Sequence, residues 1–310
     1  MNLPRYLEGD RVVVLRPSFI EYEGDFPGLR LTDRGFSLSI SNAKKWDEPV
    51  TLVIPGFREP NHLRVRLSPG IASVLYLIHL SAPDQGAFAL SLELGERASL
   101  KVIDLFLGTD SAVQTVDRFA ALERGASMEI ATGLVGGSRL TLKDEWDLLA
   151  EESRLSADLL AIAGAGERWN IRQTTRHLAP FTTSSTTNLM ISAGDSVVNL
   201  EVLGLIGKGH HHSDCQQTNR GVLLGEKGVI AVEPKLLIDE YDVKAGHGCA
   251  IGQIQPEELY YLQSRGLNEN AAKRLIVGGY LSPLLNKITQ PGLARQVNRR
   301  ITRKMKGADL

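Results

Sequence analysis

Between residues 50 and 250 apolar and polar residues alternate in short runs, as in Leu63-Arg64-Val65-Arg66-Leu67 and Leu90-Ser91-Leu92-Glu93-Leu94. A period of two places the apolar side chains on one face of a strand. Glycines, serines and charged pairs separate the runs. Val116 to Glu123 and Trp146 to Glu152 fit a short helix or a strand equally well, and Gly133 to Gly137 reads as a turn. A polar or glycine-containing turn followed by a short strand recurs at Glu96-Arg97-Ala98-Ser99-Leu100, Arg124-Gly125-Ala126-Ser127-Met128, Gly164 to Trp169, Ala193-Gly194-Asp195-Ser196-Val197 and Glu226-Lys227-Gly228-Val229-Ile230. The spacing clusters near multiples of about 30 residues, the range of solenoid coils, which bury their inward side chains only by stacking. Short strands with regular turns also suit a sandwich, so the pattern alone tilts only slightly toward a β-helix.

The pattern changes after residue 254. Gln255-Pro256-Glu257-Glu258 is a helix start, with proline in the first turn and acids at the positive dipole end. Gly266 after Arg265 is a natural stop. A second helix is expected from Asn268 through Ala271, Ala272, Leu275 and Ile276. Pro283 and Pro291-Gly292 punctuate the remaining stretch, and Leu293 to Lys306 reads as a basic helix. The expected division is an N-terminal extension (1–50), a β core (51–254) and a helical C-terminal domain (255–310).

Composition adds limits. The chain has 310 residues, 43% hydrophobic and 23% charged, with a formal net charge of −1, as in an ordinary soluble protein. No apolar run approaches the roughly 20 residues of a membrane helix, and Met1 to Arg5 opens no signal-peptide pattern, so a cytoplasmic location without a membrane partner is expected. Two cysteines, Cys215 and Cys249, make no disulfide framework. From Lys287 to Lys306 the charges are all basic. Nucleic acid or an acidic surface would suit them, yet a solvated terminal helix is the reading taken, and no nucleic-acid partner is expected.

Candidate chemistry concentrates between His210 and Cys249, where four of the seven histidines and both cysteines fall. Thiolate and imidazole are the usual donors for iron–sulfur clusters, zinc and copper. On a strand His247 and Cys249 would point the same way, as would His210, His212 and Asp214, with His211 and Cys215 opposed unless a turn intervenes. The tract His210-His211-His212 reads equally well as a wet loop, and each cysteine also fits as a small buried hydrophobe. Glycines on both sides of His247 leave the backbone open to a ligand or partner. No nucleophile elbow, phosphate loop or dinucleotide fingerprint occurs. A β-helix enzyme acting on carbohydrate stays conceivable, although no carboxylate pair stands out.

Asp242-Val243-Lys244-Ala245-Gly246-His247-Gly248, then Gly252, Tyr261-Leu262-Gln263-Ser264-Arg265-Gly266, Ala271-Ala272 and Leu275-Ile276, resemble the C-terminal signature of the SufB/SufD family in order and spacing. The resemblance implies a mainly β fold: a right-handed parallel β-helix (β-solenoid) core with helical ends, pairing with a like subunit through the end of the helix. It implies C-terminal helices that dock a SufC-like ABC-type ATPase, and a nascent iron–sulfur cluster, expected as [4Fe-4S], passed to apo acceptor proteins by a subunit that hydrolyses nothing. Only His247 carries over residue by residue. Gly228 stands where scaffold members carry a cysteine, Gly246 and Gly248 replace flanking glutamates, and Ala245 replaces a further cysteine. The candidate ligands are therefore Cys215, Cys249 and His247, with Asp214 as a possible fourth donor. Two readings result: a homodimeric scaffold collecting four thiolates at its two-fold axis, or a SufD-like structural partner without its own cluster.

Overall fold

The structure, a computed structural model, describes residues 12–16, 19–22, 29–32, 35–40, 49–54, 61–80, 86–108 and 113–306. Its first strands are β1 (Val12–Arg16), β2 (Phe19–Tyr22), β3 (Leu29–Thr32), β4 (Gly35–Ile40), β5 (Val50–Ile54) and β6 (Asn61–Leu67). The body continues with β7 (Ala72–His79), β8 (Gly86–Leu94), β9 (Ser99–Phe106), β10 (Val113–Leu122), β11 (Ser127–Leu134), β12 (Arg139–Leu148) and β13 (Arg154–Ala163). It ends with β14 (Arg168–His177), β15 (Thr183–Ser192), β16 (Val197–Ile206), β17 (Asp214–Leu223), β18 (Val229–Ile238) and β19 (Lys244–Gln253). Helices α1 (Pro256–Ser264), α2 (Glu269–Leu285) and α3 (Pro291–Lys306) follow.

Successive strands alternate between two sheets. Sheet A runs β19-β17-β15-β13-β11-β9-β7-β5-β1-β2 and sheet B runs β18-β16-β14-β12-β10-β8-β6-β4-β3. Every pairing is parallel except β1–β2 and β3–β4. The chain is thus a parallel β-solenoid of about seven turns. Both sheets extend upstream of residue 50, because β1 pairs with β5 and β4 with β6.

Coil length drifts: Val113 pairs with Arg139, whereas Val197 pairs with Val229. Corners absorb the difference. Gly125, Gly166 and Gly194 turn with positive φ, and so do Arg97, Glu152, Phe181 and His212, which carry side chains there. Glu152 and Phe181 in particular disguise the repeat in the sequence, since a left-handed corner is usually marked by glycine.

The segment Val116 to Glu123 resolves as strand β10, and Trp146 to Glu152 as the end of β12 followed by a turn. The glycine run is not simply a turn. Gly133 lies in β11, where an added Cβ would stand 2.9 Å from Leu105 and 3.0 Å from Leu284 of α2, so it sets how closely helix and sheet approach.

The interior is one continuous core from Val13 to Ile230. Sheet A is buried on both faces only where helices cover it. Its outer face, with Ile103, Leu105, Leu160 and Ile162, packs beneath α2 and α3, whose Leu293, Val297, Ile301 and Met305 recur at the four-residue spacing of a helical stripe. Lys304 fastens α3 by donating to the Ile162 carbonyl at 2.9 Å, pairing with Glu167 and lying 4.8 Å over the Trp169 ring. Sheet B leaves its outer face to water and covers it with ion-pair rows such as Arg172–Glu201–Lys235.

Asn268 caps α2 by accepting the Ala271 amide at 2.9 Å. Pro283 does not end this helix. A proline leaves the carbonyl four residues back without its amide donor, and here the Ser282 hydroxyl supplies the Gly279 carbonyl instead, at 2.9 Å.

Candidate functional site

The inward rows of sheet A change character along the stack. In β11 the inward residues are Met128, Ile130, Thr132 and Leu134; in β15 they are Ser184, Thr186, Asn188 and Met190; in β17, Cys215, Gln217, Asn219 and Gly221. The register continues to β19 as Ala245, His247, Cys249 and Ile251. In the last two coils sheet B is apolar opposite them, with Val198, Leu200 and Val202 in β16 and Ile230, Val232, Pro234 and Leu236 in β18. A polar wall therefore faces an apolar wall in the last coils.

Among the described residues no further coil covers the last one. Strands β18 and β19 are terminal in their sheets, so side chains that would be sealed elsewhere lie open: His247 and Cys249 are exposed, although their register is that of the buried Gln217 and Asn219. The Lys244 amide bonds the Ser213 carbonyl of the preceding coil, so the main-chain groups of Ala245, His247, Cys249 and Ile251 point to the free edge. In β18 the same parity, from Val229 bonding Ser196, puts the Pro234 nitrogen on the free side, where it costs no ladder bond. Thus β18 presents an edge broken by proline, and β19 an unbroken one.

The glycines around His247 are not demanded by this chain's packing. Gly248 and Gly252 have nothing within 4 Å of an added Cβ and no positive φ, and Gly246 would meet only the flexible end of Gln216.

Cys215 sits elsewhere. It is 2% exposed, and its sulfur lies 2.7 Å from where a Cβ on Gly204 would stand, so the opposing strand β16 makes room for it with a glycine. Burial pushes its thiol pKa up, against a hydrogen bond from Ser184 that draws it down. Ser184 joins a buried chain: its hydroxyl lies 2.8 Å from His177 Nε2, His177 Nδ1 lies 2.8 Å from Thr182, and Thr182 lies 2.9 Å from Ser213. Burial lowers the His177 pKa to about 4, keeping the ring neutral near neutral pH.

The structure brings His247 and Cys249 together and leaves Cys215 apart. Cys215 stands opposite Ala245, four positions from the partner of Cys249, which is roughly 13 Å along a strand. Asp214 opens β17 on the outward parity, where its carboxylate accepts the Gln216 amide at 2.8 Å. A turn does intervene in the histidine tract: His210 to His212 lie in a corner, His211 and His212 against Phe181 at 5.3 and 4.9 Å, with His212 Nδ1 3.2 Å from Asp242. Among the described residues no three His, Cys, Asp or Glu side chains converge as a metal site.

Sequence reasoning missed the groups behind the donors. Asn188 donates to Asn219 at 2.9 Å, and Asn219 donates to the Gly248 carbonyl at 3.2 Å, the peptide between His247 and Cys249. The signal was an Asn recurring 31 positions apart, visible only once the coil length was fixed. Also unread was a buried charge cluster in the middle coils. Arg118 bonds Asp144 at 2.7 and 2.8 Å, Asp104 at 2.7 Å and Thr132 at 2.9 Å, and His79 lies 2.8 Å from Asp104. Burial pulls the Asp104 pKa up, but His79 and Arg118 outweigh it and the net shift is downward; for Asp144 burial wins and the net shift is upward.

Fold and site together define a parallel β-solenoid that carries an exposed cysteine and an exposed histidine on its terminal strand. The description "SUF system FeS cluster assembly, SufBD core domain" matches residues 60–280, and the chain belongs to that family. It is 39% identical over 104 residues to the iron-sulfur cluster assembly protein SufD of Bacillus subtilis, covering 34% of this chain and 24% of that protein. It is 32% identical over 178 residues to SufD of Escherichia coli, covering 56% and 41%, and 26% identical over 194 residues to SufB of Bacillus subtilis, covering 62% and 41%. The matches span under half the length of these relatives. The fold expected from the sequence is the fold found.

Proposed function

We propose that this protein is an assembly scaffold that holds a nascent iron–sulfur cluster between two copies of itself, with His247 and Cys249 of each copy as donors. The carrying observation is their placement on alternate inward positions of an uncovered, unbroken edge strand. One chain supplies two donors, and a two-fold axis through the β19 edge doubles them to the four that a cluster takes. Edge pairing through β19 would join the two stacks into one. The cluster, expected as [4Fe-4S], is cargo, handed on to apo acceptor proteins. Cys215, sealed against Gly204, serves the core in this reading.

The ATPase of an ABC type is assigned to the helices. Tyr260 and Tyr261 of α1 and Leu275 of α2 are exposed aromatic and aliphatic groups, the kind of surface that marks a protein contact. Truncation after residue 254 cannot test this cleanly, because it would also strip α2 and α3 from sheet A. Tyr260→Glu and Leu275→Glu leave that packing intact and are expected to abolish co-purification with such an ATPase.

A second reading has one observation in its favour: the relatives at 39% and 32% identity are both named SufD. The chain would then complete a site on a cysteine-bearing relative. Anaerobic reconstitution with ferrous iron and sulfide, read by iron per chain and sedimentation, separates the two. A scaffold loads alone as a dimer, loses loading in Cys249→Ser and His247→Ala, and keeps it in Cys215→Ala. Full loading by a Cys249→Ser, His247→Ala double variant would sink the scaffold reading.

A further inference from the structure

We infer that Asn219, backed by Asn188, is a positioning residue that fixes where the uncovered strand β19 presents His247 and Cys249. The inference rests on the assignment of those two side chains as donors and adds the device that orients them.

Strand β19 is poorly held by ordinary means. It pairs on one side only, and it contains Gly246, Gly248 and Gly252, each of which costs chain entropy in a strand. Gly248 and Gly252 bring no side-chain packing of their own. A strand with these properties frays, and fraying would scatter two donors that must hold a common geometry. One side-chain hydrogen bond crosses from the preceding coil to the segment between them: Asn219 Nδ2 to the Gly248 carbonyl, 3.2 Å. Asn219 is itself held from behind, accepting from Asn188 at 2.9 Å. Both asparagines are 1–2% exposed, so water competes little for the bond between them, and the bond to Gly248 is half-buried. The amide ladder transmits the order of the sealed coils to the open one. It acts on the peptide flanked by the donors and touches neither cargo nor donor side chain.

The register makes the arrangement specific. Asn188, Asn219 and Cys249 occupy one column of sheet A, and Thr186, Gln217 and His247 the next. The ladder thus stands directly behind Cys249, one column from His247.

Asn219→Asp tests this: it keeps the size and the acceptor that Asn188 uses but loses the donor to Gly248. Asn219→Thr, too short to reach, guards against an effect of the buried carboxyl. Each is measured by thermal melting, by hydrogen exchange of the β19 amides against those of β13 and β15, and by the visible d–d spectrum with Co2+ as the probe metal. Expected are a melting point near wild type, β19 exchange faster by roughly three- to tenfold, the population shift one ordinary hydrogen bond sustains, and an altered Co2+ envelope. Unchanged β19 exchange in folded variants overturns the inference. So does exchange that rises equally in β13, β15 and β19, which would make Asn219 a general core residue. If both variants unfold, Asn188→Ser is read by the same measurements and the same criteria. Exchange needs no metal, so a wild-type protein that takes up neither Co2+ nor iron defeats the donor assignment, while the strand-fixing claim is still decided.

Discussion

The middle coils and the last coil of this solenoid place polar groups at equivalent inward positions, with opposite consequences. In the middle, Arg118 lies between Asp104 and Asp144 with His79 beside them, all within 2% of full burial and bonded to one another. At the end, Cys249 continues the column of Asp104 and His247 the neighbouring one, but both meet solvent. A sealed coil must satisfy its polar groups internally, because burying an unpaired charge is costly. An open coil need not, so its donors stay available. The same inward position is therefore sealed when another coil covers it and open to a ligand when none does.

That contrast can be broken from its strongest side first. Arg118→Met leaves two carboxylates facing one another without their cation, and is expected to cost about 3–5 kcal/mol in chemical denaturation, the range for breaking a buried pair. A loss below about 1 kcal/mol, the level of an exposed pair, would show that the middle coils are not sealed.

Acid acts next. The His177 pKa is lowered to about 4 from the 6.5 of an exposed ring. The unfolded chain therefore binds the proton first, and stability present above about pH 6.5 is lost as pH falls toward 4, by about 3 kcal/mol at most. His177→Gln should flatten the fall of stability between pH 6.5 and about pH 4. An unchanged slope would place the ring in contact with water.

Gly204→Ala comes third. Its new Cβ would stand 2.7 Å from the Cys215 sulfur, an overpacking expected to cost about 1–3 kcal/mol. Cys215→Ala in the same chain should recover part of that loss, a coupling read by a double-mutant cycle. Simple additivity would separate the two residues.

The smallest effect on stability belongs to the open end. Cys249→Ser and His247→Ala should each stay within about 0.5 kcal/mol of wild type, as exposed substitutions do, while iron loading falls away. A large loss of stability instead would mean that the last coil is covered in solution by something other than its cargo.

Much of this was legible in the sequence because it is local. Alternation at Leu63 to Leu67 specifies a strand whatever surrounds it, and Pro256 with Gly266 brackets a helix by backbone chemistry alone. The corner glycines marked several turns for the same reason. Corners at Glu152 and Phe181 were hidden, since nothing in those side chains advertises a positive φ. Pro283 misled because the compensating Ser282 hydroxyl is a matter of geometry.

Residues alone determined the strand period, the helical C-terminus and the short list of donors, because each depends on neighbours a few positions away. Whether a given inward side chain is sealed or open depends on what stacks above it some 30 residues later, roughly one coil on. Only the assembled coils could decide that Cys215 closes against Gly204 while Cys249, on an inward position too, is left open to solvent. Burial is a property of the stack, and no single coil carries it.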